Sequence, residues 1–403
     1  MIERPLYMEK IEPFIDAPMA KILTGIRRSG KSTILEMVRN KLRERGVPEE
    51  KIFYAKFDSY EYADISDGRE LYRAVSERIN GEGCYLLLDE IQEADGWEKA
   101  VNSLMTSKGA NVFVTGSNSR LMSSEISTYL TGRYVVLPVY TLSLEEYIAF
   151  RRALGEDKPP REFLRDYMRM GGFPSVAAGR FTQEEAYTVV RDVCTSVIYN
   201  DIAKRGGIRK LDRFERLVRF MFENTGKNFS AQSVANYMKS ERRELDTETI
   251  YNYIRLMQKA YILYAANRYD VRGKAVLKTQ EKYYLADPSL KYATLGYHDT
   301  SVASMAENIV YLEFLRRGYE VYVGDSNGRE IDFIGIRRGE KIYVQVCRHI
   351  PDDEKGRERE IGNLLKIKDN HSKYVVTLDE YAEGNENGIR IVHLADFLLC
   401  REW

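Results

Sequence analysis

Cysteine, tryptophan and histidine are scarce in this 403-residue chain, with four, two and four copies. The cysteines Cys84, Cys194, Cys347 and Cys400 are far apart and form no C-x-x-C pair, which excludes a disulfide framework and a thiolate zinc site. An excess charge of either sign is also missing: 61 basic residues balance 61 acidic ones, which argues against indiscriminate polyanion binding but leaves room for a local basic patch. No apolar run is long enough to span a membrane, and Met1-Ile2-Glu3-Arg4-Pro5 opens no signal-peptide core. A soluble protein of the reducing cytoplasm, without a membrane partner, is expected. Repeats and low-complexity tracts are absent. What is present is 44% hydrophobic and 30% charged residues over a length that implies two or three domains.

The most informative stretch is Gly25-Ile26-Arg27-Arg28-Ser29-Gly30-Lys31-Ser32, a glycine-rich loop with the spacing of a phosphate cradle. Lys21 to Thr24 reads as a buried strand entering it. Beyond it, Ile34, Leu35, Met37, Val38 and Leu42 recur at helical spacing. In such a loop the glycines let backbone N–H groups converge on phosphate oxygens, the lysine reaches the outer phosphates, and the hydroxyl joins Mg²⁺. Gly25, Arg28, Ser29, Gly30, Lys31, Ser32 and Thr33 are therefore the expected nucleotide contacts.

Four further apolar runs, Ile52 to Phe57, Cys84 to Leu88, Asn111 to Thr115 and Tyr134 to Val139, alternate with helix-like stretches. This order predicts a parallel sheet covered on both faces, with ligands at the carboxyl ends of the strands. One run delivers Asp89 and Glu90 to that edge, the first suited to a metal ion and the second to activating water. Another ends in Thr115-Gly116-Ser117-Asn118, where Ser117 or Asn118 is either a sensor of the terminal phosphate or a helix-cap residue. Arg133 stands at the entrance of the last strand. An arginine there is either a surface residue or one that neutralises charge in phosphoryl transfer, in its own subunit or a neighbour's.

With these residues in view, the chain resembles the prokaryotic AAA-type ATPases that join a P-loop module to a winged helix and a PD-(D/E)XK nuclease-like domain. Leu88-Asp89-Glu90-Ile91-Gln92 with Trp97, Gly132-Arg133 before Leu142-Ser143, Gly171-Gly172-Phe173-Pro174 and Tyr284-Leu285-Ala286-Asp287 carry the likeness with the loop. The resemblance implies ATP and Mg²⁺ as ligands, Ser32 and Asp89 at the metal, Glu90 on the water, Ser117 as sensor and Arg133 as an arginine finger, which in trans would require a homo-oligomer. The expected division is an α/β ATPase core over 1–142, a helical lid over 143–205, a winged helix over 206–295 and a nuclease-like α/β domain over 296–403.

Three helix-like segments, Leu211 to Phe222, Ala231 to Lys239 and Thr247 to Lys259, precede two β-like runs flanking Arg268, Arg272, Lys274 and Lys278. This pattern matches a winged helix offering Asn252, Arg255 and Lys259 to double-stranded DNA, although the same topology serves protein docking. In the last module Glu307 and Asp332 match two nuclease positions, whereas Gln345 replaces a carboxylate and Cys347 the lysine. An inactive site is expected, the alternative being a Gln345 amide oxygen that still coordinates a cation, with Lys341 or Arg348 standing in for the lysine. The main expectation is thus an ATPase, with a nucleotide-switched DNA-binding regulator or an ATP-gated nuclease as alternatives.

Overall fold

The computed structural model describes residues 2–79, 81, 83–116, 128–271, 273, 275–326, 328–351 and 353–403. The chain folds into two compact units. The first comprises Met1–Tyr140 with Lys259–Tyr261, and the second Thr141–Gln258 with Ile262–Trp403.

In the first unit, α1 (Pro5–Ile11), β1 (Ala20–Thr24), α2 (Lys31–Glu44), β2 (Ile52–Lys56), α3 (Gly68–Arg78), β3 (Tyr85–Asp89), α4 (Trp97–Lys108), β4 (Asn111–Gly116) and β5 (Tyr134–Pro138) alternate as the apolar runs require. The five strands form one sheet in the order β2-β3-β4-β1-β5. Every pair is parallel. Both faces are buried, one by a cluster that includes Leu71, Trp97 and Val101 and the other by Ile11, Ile34 and Val38. That is why these strands read as apolar runs rather than as alternating ones. Because β4 lies between β1 and β3, the carboxyl ends of the three adjoin at one edge of the sheet.

The second unit starts with helices α5 (Leu144–Ala153), α6 (Pro160–Met170) and α7 (Gln183–Ser196), the first and third opened by capping boxes, Ser143 with Glu146 and Thr182 with Glu185. The helix expected over 184–203 widens into a π-helical turn over Val197–Lys204. Gly171 ends α6 with φ +76°, and a Cβ there would lie 1.9 Å from an Asp287 carboxylate oxygen. The neighbouring Gly172 N–H donates to Asp287 at 2.7 Å. The two motifs Gly171-Gly172-Phe173-Pro174 and Leu285-Ala286-Asp287 are therefore halves of one buried joint.

Helices α8 (Leu211–Glu223), α9 (Ala231–Ser240) and α10 (Thr247–Lys259) follow, with Ser230 capping α9 and Asp246 accepting the Thr249 N–H. Strands β6 (Leu263–Asp270) and β7 (Ala275–Leu285) pair antiparallel, but they are not a free wing. Asn267–Asp270 pairs in parallel with Tyr322–Asp325, so the ribbon is the margin of a larger sheet. The helices α11 (Pro288–Leu295) and α12 (Val302–Arg316) lead to β8 (Glu320–Ser326), β9 (Arg329–Arg337), β10 (Glu340–Cys347), β11 (Ser372–Thr377), β12 (Gly384–Glu386), β13 (Ile389–His393) and α13 (Leu394–Leu399). All these strands form an eight-stranded mixed sheet in the order β12-β13-β11-β10-β9-β8-β6-β7. The boundary expected at 295/296 therefore falls between strands that share one sheet. No helix among the described residues is long and apolar enough to cross a membrane.

Candidate functional site

The loop between β1 and α2 has the local geometry of an anion cradle. Gly25 takes φ +148°, and a Cβ there would stand 2.1 Å from the Val139 carbonyl oxygen, so only glycine fits between the loop and the end of β5. Arg28 and Gly30 are also left-handed, at φ 67° and 97°, which folds the chain back before α2 begins at Lys31. Lys31 is buried and its Nζ donates to the Gly25 and Ile26 carbonyls at 3.0 and 3.1 Å. The N-terminus of α2 thus faces the loop with its N–H groups, the arrangement that favours a bound phosphate.

Beside the loop, β3 ends in Asp89, which is only 2% exposed. Its carboxylate accepts hydrogen bonds from the Thr115 hydroxyl of β4 and from Ser32 of the loop. Burial pushes the Asp89 carboxyl above its ordinary range, while these two hydroxyls pull it back and the Glu90 charge adds to the rise. A cation would offset that burial penalty, so the residues present fit a Mg²⁺ ion held by Ser32 and Asp89. Glu90 follows in the left-handed region at φ 53°. Its N–H donates to the Thr115 oxygen at 3.0 Å, and its carboxylate accepts from the Gln92 amide. Thr115 thereby fixes both acidic residues through one hydroxyl.

The sheet brings Gly25, Ser29, Gly30, Lys31, Ser32, Asp89 and Glu90 to one edge; Arg28 is exposed in the same loop, and Thr33 stands in the first turn of α2. Ser117 and Asn118 lie outside the described residues. Arg133 is not brought to this edge. It precedes β5, its carbonyl accepts from Ala20 at the start of β1, and its guanidinium donates to Thr106 at 3.4 Å. Parallel strands set it at the opposite edge, about 13 Å of strand from the loop at ~3.3 Å per residue. Thr115 and Gln92 were overlooked in the motifs that contain them. A threonine near the end of the apolar run, directly before Gly116, was the available signal.

A second cluster occupies the second unit. Glu307 of α12, Asp332 of β9 and Gln345 of β10 line a cavity of about 830 Å³. The Asp332 carboxylate accepts the Val346 N–H at 2.8 Å, and the Gln345 amide donates to Glu360 at 3.1 Å. The cation at the centre comes from the second of the β-like runs expected in the winged helix. Lys282 of β7 lies 3.1 Å from Glu307, 2.7 Å from Glu330 and 3.9 Å from Asp332. Burial opposes its charge, but the three carboxylates outweigh that and hold the ammonium above its ordinary value. Burial raises Glu307 against the pull of Lys282, and raises Asp332 further with the help of the Glu307 charge.

Of the residues expected to contact DNA, Asn252, Arg255 and Lys259 are exposed on α10. Arg268 is not exposed, since it is bound to Asp325 at 3.2 Å and Glu330 at 2.7 Å. Arg272 and Lys274 lie outside the described residues.

Residues 17–148 match the AAA domain family, and residues 161–301 match a domain of unknown function. An uncharacterized protein of Haemophilus influenzae is 36% identical over 401 residues, covering 99% of each chain. An uncharacterized protein of Methanocaldococcus jannaschii is 27% identical over 365 residues, covering 87% of this chain and 79% of its own. Among solved structures, the Walker-type ATPase of Pyrococcus abyssi superimposes with a TM-score of 0.50 at 16% identity, over 73% of this chain and 95% of that one. At that identity the likeness is one of fold.

Proposed function

We propose, from the premise that the chain belongs to the AAA-type ATPases and shares its family with the Haemophilus influenzae protein, that it binds ATP with Mg²⁺ and hydrolyses it with water. The observation that carries this reading is the bridge from the Thr115 hydroxyl to the Asp89 carboxylate and the Glu90 N–H, beside the Lys31 loop. Lys31 and the loop amides would hold the phosphates, and Ser32 and Asp89 would hold Mg²⁺, which would supply charge neutralisation there. Glu90 orients the water and takes its proton, since its backbone is held while its carboxylate stands at the strand end. The test is a pair of variants. Glu90→Gln should bind ATP but lose turnover by about two orders of magnitude or more, and Lys31→Ala should lose binding. Turnover by Glu90→Gln at the wild-type rate would sink the assignment.

In this reading nucleotide state is passed to the helices over 143–205, and Arg133 acts only on a neighbouring subunit's nucleotide, so activity per chain should rise with protein concentration. A DNA-binding role on α10 is favoured by the exposure of Asn252, Arg255 and Lys259. Binding of a double-stranded oligonucleotide that weakens steeply with salt, and less steeply in Arg255→Gln, would support it. We read the pocket at Glu307 and Asp332 as inactive in cleavage, because Lys282 already supplies their counter-charge from within.

A further inference from the structure

Arg4 is 1% exposed, in a stretch of sequence with no recognisable motif. One guanidinium nitrogen donates to the Ser29 carbonyl inside the phosphate loop at 2.7 Å, and another to the Tyr140 carbonyl at 3.0 Å. The guanidinium also stacks 4.4 Å from the centre of the Tyr7 ring, whose hydroxyl accepts the Tyr140 N–H at 3.0 Å. Tyr140 is where the first unit ends. The loop's other end is tied to the same segment, for Val139 N–H donates to Thr24 at 2.7 Å and the Val139 carbonyl oxygen lies where a Cβ on Gly25 would collide with it.

A loop that aims its N–H groups at phosphate must turn its carbonyls away, and a buried carbonyl needs a donor from behind. Burying a guanidinium is costly, so its placement here calls for a return that an anchoring alkyl side chain could not give. The planar fork can hold two carbonyls in fixed directions at once, which a lysine cannot do. Apparent affinity falls with the fraction of loop in the binding-competent shape, so a brace on Ser29 acts directly on nucleotide binding.

We propose that Arg4 is a positioning residue of the nucleotide loop and that, through its second bond, ligation of the loop is transmitted to Tyr140 at the end of the first unit. The inference rests on the nucleotide-binding reading above. It assigns the stretch before α1 a part in nucleotide recognition.

The experiment compares the full-length wild type, Arg4→Lys and Tyr7→Phe by calorimetric titration with ATP·Mg²⁺ and by hydrogen exchange at the Tyr140 amide. Arg4→Lys should bind ATP about tenfold more weakly, as expected for losing one charge-assisted bond. In wild type, saturating ATP should slow exchange at Tyr140, and Arg4→Lys should lack that slowing. Tyr7→Phe removes the acceptor of the Tyr140 N–H but leaves Arg4, so ATP affinity should stay within about twofold while Tyr140 exchanges faster. An Arg4→Lys protein that binds ATP like wild type and keeps the slowing overturns the proposal. So does an equal loss of affinity in Tyr7→Phe, which would trace the effect to the packing of α1. A folded wild type that binds no ATP would instead overturn the nucleotide reading itself.

Discussion

Replacing Thr115 by valine keeps the shape of the side chain and deletes only its hydroxyl. In the wild type this hydroxyl donates to the Asp89 carboxylate and accepts the Glu90 N–H at 3.0 Å, from a site with no solvent exposure. Losing a hydrogen bond to a charged group costs about 1.5–3 kcal/mol, and stranding a buried N–H costs about 1–3 kcal/mol. About 2 kcal/mol of this falling on the transition state would lower kcat roughly 30-fold, at ~1.36 kcal/mol per decade. ATP affinity should change little, because the loop residues are untouched. The pH dependence separates this from a general loosening. The Thr115 bond draws the Asp89 carboxyl down against its burial, so without it the carboxyl rises further and holds a proton to higher pH. The Mg²⁺ concentration for half-activity should therefore increase in Thr115→Val, and recover as pH is raised. Steady-state ATP hydrolysis across pH and Mg²⁺, with Thr115→Ser as the rescuing variant, reads both effects. A Thr115→Val enzyme with kcat within about twofold of wild type and an unchanged Mg²⁺ requirement would refute the bridging role.

Gly25→Ala should abolish nucleotide binding or folding of the first unit, since its Cβ would meet backbone oxygen at 2.1 Å; ATP titration together with thermal melting distinguishes the two. Lys282→Met leaves Glu307, Glu330 and Asp332 without their shared ammonium and should destabilise the second unit by about 3–5 kcal/mol in urea denaturation. Asp332 has a carboxyl raised by burial above its unfolded value, so its contribution to stability is full below the unfolded pKa near ~3.9 and is lost as pH rises through the folded one. Asp332→Asn should accordingly flatten the fall of melting temperature as pH rises from the unfolded value near ~3.9 to the folded one.

The nucleotide edge was legible because its chemistry is local in sequence. Glycines at Gly25 and Gly30, a lysine at Lys31 and a carboxylate at the end of an apolar run each declare a role by type and spacing. For Arg133 the motif is equally local, but its distance from the loop is set by strand direction, and parallel pairing puts it at the far edge of the sheet. The pocket in the second unit was half legible. Glu307 and Asp332 are placed by their elements, while Lys282 sits on β7, which the sequence puts in the preceding module and which pairing through β6 and β8 joins to this sheet.

The amino-acid sequence alone determined the P-loop, the order of strands and helices in the first unit and the carboxylates beside the loop, because periodicity and backbone geometry act over a few residues. Only the tertiary structure decided which distant side chains complete these groups. Thr115 between Asp89 and Glu90, Lys282 among three carboxylates and Arg4 behind Ser29 are buried polar contacts, and burial makes each of them satisfy a partner that nothing nearby in the chain specifies.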